Sequence, residues 1–228
     1  MKLDESRFSS KHFREFLNQE DNYNHTWNRP LYDLFRIDSE HENNEVTRTK
    51  WHYVNRIYST RLASYFGKNR NNDYKSIDDY IERSVFNRGD ILQCVKSLNN
   101  INYIDENTLK KAIKSVEVFR DTLKEDFKTK TGVGPTSFSS KYLHFHSGIV
   151  PIYDKNARVS VCWVIEDYRE RINAKQDDAK LSYKEYADAV FFLLQSYFGG
   201  VLFLPQQMKN LDGYLHALYE GRVQWPTS

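Results

Sequence analysis

Cysteine, proline and glycine are all scarce in this chain, and each shortage removes a class of protein. Of 228 residues only Cys94 and Cys162 are cysteines. They form no C-x-x-C pair, which argues against a disulfide scaffold, a zinc ribbon or a cysteine-ligated iron–sulfur cluster. Five prolines and nine glycines supply few turns, so a β-sandwich with its many connections is disfavoured. No apolar run is long enough to span a bilayer; the longest lies near Val201 to Pro205. The opening MKLDESRFSSKHFREF is charged and lacks the apolar core of a signal peptide, so a cytoplasmic, reducing location is expected. Neither sign of charge dominates, with 33 basic against 31 acidic residues. A nucleic-acid partner would therefore need a local basic face.

What the chain does have is aromatic and helix-patterned sequence, with 16 tyrosines and 14 phenylalanines. The informative stretch is TGVGPTSFSSKYLHFHSGIVPIYDKNAR, residues 131 to 158. Gly132-Val133-Gly134 suits a tight turn whose amides face an anion. Pro135 stands where a helix can begin. Phe138, Tyr142 and Phe145 then recur at helical spacing, so residues 136 to 146 read as a short helix. After a break at Ser147-Gly148, the apolar run Ile149-Val150-Pro151-Ile152 delivers Asp154, with Lys155 and Arg158 beside it. A turn of amides, a helix and one carboxylate on a strut suggest a phosphate clamp next to an acid/base group.

This stretch resembles the helix-hairpin-helix glycosylase superfamily of DNA repair, and more narrowly the 8-oxoguanine-glycosylase-like proteins of bacterial antiphage defence operons. In that family a G-h-G hairpin grips the DNA backbone, and a catalytic Asp follows about twenty residues later. Here the matching positions are Gly132, Val133, Gly134 and Asp154. The resemblance implies an all-α fold of two helical lobes with a cleft between them for an extruded base. The lobes would be residues 47 to 130, and residues 131 to 228 with 1 to 40, in one glycosylase-like unit. It also implies DNA as partner, other proteins of a defence operon as further partners, and a monovalent cation at the hairpin. No cofactor and no other metal site are expected.

Around that stretch the chain reads as helices. Phe8, Phe13 and Phe16 suggest a short one, and DNYNHTWNRPLYDLF an aromatic-rich loop in which His25 and Trp27 either pin the surface or stack a base. EHENNE reads as a solvated linker. Residues 47 to 67 carry an apolar stripe, Trp51, Val54, Tyr58, Leu62 and Tyr65. Ser76 with Asp79 suggests a cap for a helix over 77 to 87, Gly89 separates it from ILQCVKSL, and 108 to 127 is amphipathic. Lys128 and Lys130, just before the hairpin, are the expected phosphate contacts. Residues 155 to 170 read as helical, NAKQDDAK as a loop. Ser182 and Glu185 form a capping box, Gly199-Gly200 stops that helix, and a last helix covers 206 to 219.

Asp154 is the expected essential carboxylate, stabilising an oxocarbenium-like sugar as an N-glycosidic bond breaks; its other reading is a helix N-cap. In bifunctional members a lysine follows the hairpin, but here Thr136 stands there, beside Ser137. This departure points to a hydrolase that uses water, without lyase chemistry. Lys141 is the nearest amine, read as a phosphate or pocket charge in preference to a Schiff-base former. Ser139 and Ser140 would line a base pocket with Tyr153 and Tyr214, for a purine or modified base; each has a packing alternative. The resemblance also implies that the last helix closes this pocket, which makes Leu215 and His216 candidates beside Tyr214. His144 and His146, two apart, point to different helix faces and complete no metal site. The alternatives to a DNA glycosylase are an inactive DNA-binding or defence-complex subunit and a nucleoside or modified-base hydrolase.

Overall fold

The computed structural model describes residues 1–4, 8–19, 24–57, 74–86, 89–128, 133–173 and 178–221. The helices in order are α1 (Ser10–Gln19), α2 (Asn24–Ile37), α3 (Asn44–Ile57), α4 (Ile77–Tyr80), α5 (Gly89–Leu98), α6 (Glu106–Asp126), α7 (Val133–Ser147), α8 (Lys155–Val164), α9 (Tyr183–Phe198) and α10 (Pro205–Tyr219). A π-helical turn, Ile81–Val85, continues α4, and a 3-10 turn, Glu166–Arg171, follows α8. Among the described residues the sheet content is one antiparallel pair, β1 (Ile172–Asn173) with β2 (Asp178–Ala179). The expected all-α class therefore holds for the described residues.

Local chemistry sets the helix ends. Asp105 caps α6, its carboxylate accepting from the Thr108 amide at 2.7 Å while Thr108 answers the Asp105 amide at 2.8 Å. Ser182 and Glu185 make the anticipated box at the start of α9, and Gly199, at φ 71°, ends that helix. Ser76 caps α4 through the Asp79 amide at 3.1 Å.

Several expectations need correction. The stretch expected to be an aromatic loop is helix α2, with Pro30 inside it. Burial of Leu31 and Phe35, each 1% exposed, outweighs the hydrogen bond lost at proline. The expected linker ends early, because α3 begins at Asn44, where the Asn43 side chain accepts from the Glu45 and Val46 amides at 3.0 and 3.1 Å. Gly89 is the first residue of α5 rather than a separator. The helix expected over 155 to 170 is α-helical only to Val164, and the expected loop after it contains the β1–β2 pair. The rest of the stripe expected over 47 to 67, with Tyr58, Leu62 and Tyr65, lies outside the described residues.

One buried apolar cluster runs from Phe8 on the N-terminal side to Leu218 on α10. Trp51 is fully buried at its centre, ringed by Tyr80, Phe119, Phe138 and Tyr142. Lys50 is also fully buried and donates to the carbonyls of Phe35 and Asp38 at the end of α2, a cation placed at the negative end of a helix.

Three contacts position the functional region. α10 packs on α8 and α9, and α6 packs on α7. Gly148 turns the chain out of α7 at φ 71°, and a Cβ there would stand 3.1 Å from Pro205 Cβ. The end of α7 thus lies close against the start of α10, where a side chain would be crowded as well as set on an unfavourable backbone. His144 is buried on α7. Its Nδ1–H donates to the Val150 carbonyl at 2.7 Å, and its Nε2 accepts from the Tyr32 hydroxyl at 2.6 Å. That bond fastens the segment leading to Asp154 back onto α7.

Candidate active site

Asp154 is the N-cap of α8. Its Oδ1 accepts from the Ala157 amide at 2.9 Å, and its side chain is only 14% exposed. The cap reading holds, and it is compatible with the functional one, because capping fixes the carboxylate and the helix dipole favours its charge. Ser140 on α7 places it from the other side, accepting the Tyr153 amide at 3.0 Å while donating to the Ser137 carbonyl at 3.2 Å.

Two cations meet the other oxygen. Lys141 Nζ lies 3.5 Å and His216 Nε2 3.0 Å from Asp154 Oδ2. α7 thus brings Lys141, α8 the carboxylate and α10 the histidine. Asp212 stands one turn before His216 on α10, the spacing that puts two side chains on one helix face.

The electrostatics follow from this arrangement. Burial alone would raise the pKa of Asp154. The hydrogen bond and charge of His216, the charge of Lys141 and the Ala157 amide overcome it and hold the carboxyl well below its usual range. Burial would lower His216, yet its bond to Asp154 and the charges of Asp154 and Asp212 lift it to about 9, against Lys141. Asp212 moves the other way. Burial raises it to about 6, helped by the charge of Asp154 and opposed by His216 and Lys141. Two carboxyls whose pKa values are pushed in opposite directions, with two cations paired to one of them, have the form of an acid/base site.

The other expected site residues fall into several groups. Val133 and Gly134 are the first residues of α7, so the expected turn is already helical there and α7 starts ahead of residue 136. The amides at that end have no partner within the helix and can face an anion. Gly132 and Lys130 lie outside the described residues. Lys128 sits just past the end of α6, at φ 49°. Thr136 is buried and Ser137 half-buried. Ser139 is fully buried, with an Oγ lacking a hydrogen-bond partner among the described residues.

Tyr153 and Tyr214 are placed differently from the expectation that they line a base pocket. Tyr153 donates its hydroxyl to the Leu181 carbonyl, and the Arg158 guanidinium lies 4.5 Å from its ring centre. Tyr214 is fully buried against Phe13 and Phe16, at ring separations of 5.1 and 5.3 Å. Both rings are engaged in the core, as are Trp51 and Phe145. Arg158, which the sequence places near Asp154, is buried and paired with Asp178 and the Ala179 carbonyl. Its guanidinium holds the β-pair onto α8 instead.

His216 was expected, with Tyr214 and Leu215, only as a residue closing a base pocket, and Asp212 was not expected at the site. The i,i+4 spacing of an acid and a histidine in LDGYLHALYEG was the available signal. Among the described residues, no group of three or more His, Cys, Asp or Glu is placed to hold a metal ion. No helix of the described residues is long and apolar enough to cross a membrane. Compared with protein families, curated proteins and solved structures, the chain matches none of them.

Proposed function

We propose that the chain is an N-glycosidase of the helix-hairpin-helix kind, acting on a base in DNA, with Asp154 as the essential carboxylate. The observation that carries this reading is the convergence of Lys141 and His216 on an Asp154 that caps α8. The amide end of α7 would hold a backbone phosphate, with a monovalent cation there as the resemblance implies. Two helical lobes would flank a cleft for the base, because chemistry at a base buried in a duplex requires taking it out of the stack. As the C1′–N bond breaks, positive charge grows on the sugar, and the ionised Asp154 stabilises it. Water then completes the hydrolysis, in keeping with Thr136 at the lysine position of the lyases.

One observation favours the alternative, an inactive DNA-binding or defence-complex subunit. Both oxygens of Asp154 already have partners within the chain, as a purely structural cap would. The deciding experiment incubates the purified chain with labelled oligonucleotides carrying 8-oxoguanine, hypoxanthine, uracil or an alkylated purine, followed by alkali to reveal abasic sites. Release by the wild type and its loss in Asp154→Asn support the enzyme. DNA binding without release from any of them supports the binding module.

A further inference from the structure

The site holds one polar atom that the cluster itself leaves unused. Asp212 Oδ1 is buried and has no hydrogen-bond partner among the described residues. A buried acceptor without a donor is destabilising, so its presence calls for a partner that arrives with the reaction. Asp154 is in the opposite condition. Its Oδ1 is taken by the Ala157 amide and its Oδ2 by His216 and Lys141. A carboxylate loaded with three donors and two positive charges is a good counter-charge and a poor proton acceptor. Hydrolysis by water nevertheless needs a group to receive the proton of the attacking molecule.

We propose that Asp212 is the general base that deprotonates the attacking water, while Asp154 acts only through its charge. This rests on the N-glycosidase reading above and divides its chemistry between two residues. In the step, one water proton passes to the free oxygen of Asp212 as the water oxygen bonds to C1′. The C1′–N bond breaks and its electron pair leaves with the base. The proton on Asp212 then passes to that base, directly or through solvent, which restores the carboxylate and completes a net hydrolysis. No oxidant, reductant or further co-reactant is needed.

The surroundings suit the role. The titratable groups that act on Asp212 are His216 on its own helix, Asp154 at the head of α8 and Lys141 on α7, while Tyr186 on α9 responds to its charge. Burial and Asp154 raise its pKa to about 6 against the two cations, where a base is largely ionised at neutral pH and still holds a proton usefully. The opposed shifts of the two carboxyls are what separate roles require.

The test uses a labelled duplex oligonucleotide carrying whichever base the wild-type chain releases in the panel above. Under single turnover, Asp212→Asn should slow release by about a hundredfold or more. The wild-type rate should rise with pH around 6, and Asp212→Asn should lose that rise. Azide attacks without giving up a proton, so it should restore the rate of Asp212→Asn and yield the deoxyribosyl azide, and should not restore Asp154→Asn. The melting temperature of Asp212→Asn should stay at or above that of the wild type, since the buried oxygen has no partner to lose. Release at the wild-type rate, an unchanged pH profile, or a loss that azide fails to repair would each overturn the assignment and leave the N-glycosidase reading standing. Absence of Asp154-dependent release from every oligonucleotide would remove both.

Discussion

Lys141 and Asp154 belong to different helices, yet Nζ lies 3.5 Å from Oδ2 with the two side chains 5% and 14% exposed. The lysine is an electrostatic partner of the carboxylate. Schiff-base chemistry needs an amine aimed at the sugar C1′, whereas this one is turned to the carboxylate. Borohydride should therefore trap no covalent protein–DNA adduct with the wild type, and the product should be an abasic site without strand cleavage. Lys141→Gln should weaken DNA binding. An adduct that disappears in Lys141→Gln would make the chain a bifunctional glycosylase/lyase.

Asp154→Asn separates charge from shape. Asparagine can still cap α8 through its side-chain oxygen, but Lys141 and His216 lose their common counter-ion. Base release should drop by several orders of magnitude. Stability should fall by about 1–3 kcal/mol, less than for many buried pairs because Asp212 remains nearby. Parallel release assays and thermal melts check this; near-normal release beside a large loss of stability would make Asp154 a structural cap alone.

Ser140 gives a test of positioning. Alanine there leaves the buried Tyr153 amide without its acceptor at 3.0 Å, at a cost of about 1–3 kcal/mol. For a chain of this size, that lowers the melting temperature by roughly 2–4 °C per kcal/mol. The strut carrying Asp154 should also loosen, so release should slow with little change in substrate affinity. An unchanged melting curve would show that this bond contributes nothing to stability.

Stability should fall in mild acid. Burial lowers His41 and His144 from 6.5 to about 4, with Lys50 adding to the effect at His41 and Lys209 at His144. In the unfolded chain both bind protons below about 6.5, while the folded chain resists until about 4. Their contribution is therefore complete above 6.5 and is lost as pH falls through that window, at up to about 1.4 kcal/mol per pH unit per residue. His216 has the opposite sign. Raised to about 9, it contributes fully below 6.5 and loses that contribution as pH rises through 9. Urea unfolding at several pH values should locate the maximum between these limits, and a flat profile from pH 7 to 5 would contradict the buried histidines.

Replacing Gly134 with valine probes the amide end of α7. A branched side chain beside those amides should obstruct a phosphate, weakening binding to all DNA sequences alike and flattening the dependence of affinity on salt. Affinity and salt slope equal to the wild type would remove the phosphate from this helix end.

Where the sequence could be read and where it could not follows from the range of the forces involved. Local hydrogen bonding is written locally: Asp154 ahead of Lys155-Asn156-Ala157 reads as a cap, and Ser182 with Glu185 as a box, and both form. Helix α2 was hidden because Asn and Pro are poor helix formers, and only the burial of Leu31 and Phe35 reveals why it folds. The meeting of His216 with Asp154 depends on how α10 crosses α8, which no local periodicity encodes. The same crossing explains Tyr214. It lies two residues from both Asp212 and His216, about 200° around the helix, and faces the core.

Gly148 has a consequence for how mutations would spread through this molecule. A methyl there would press on Pro205 at 3.1 Å and meet Lys209 Cε at 3.8 Å, on a backbone whose φ of 71° already disfavours side chains. Pro205 heads the helix that ends near His216, and Gly148 follows the helix that carries Lys141. Position 148 works as a spacer of zero thickness between two rods, and thickening it would tilt one against the other. A saturation scan read out by activity should find this glycine as intolerant as the charged residues themselves.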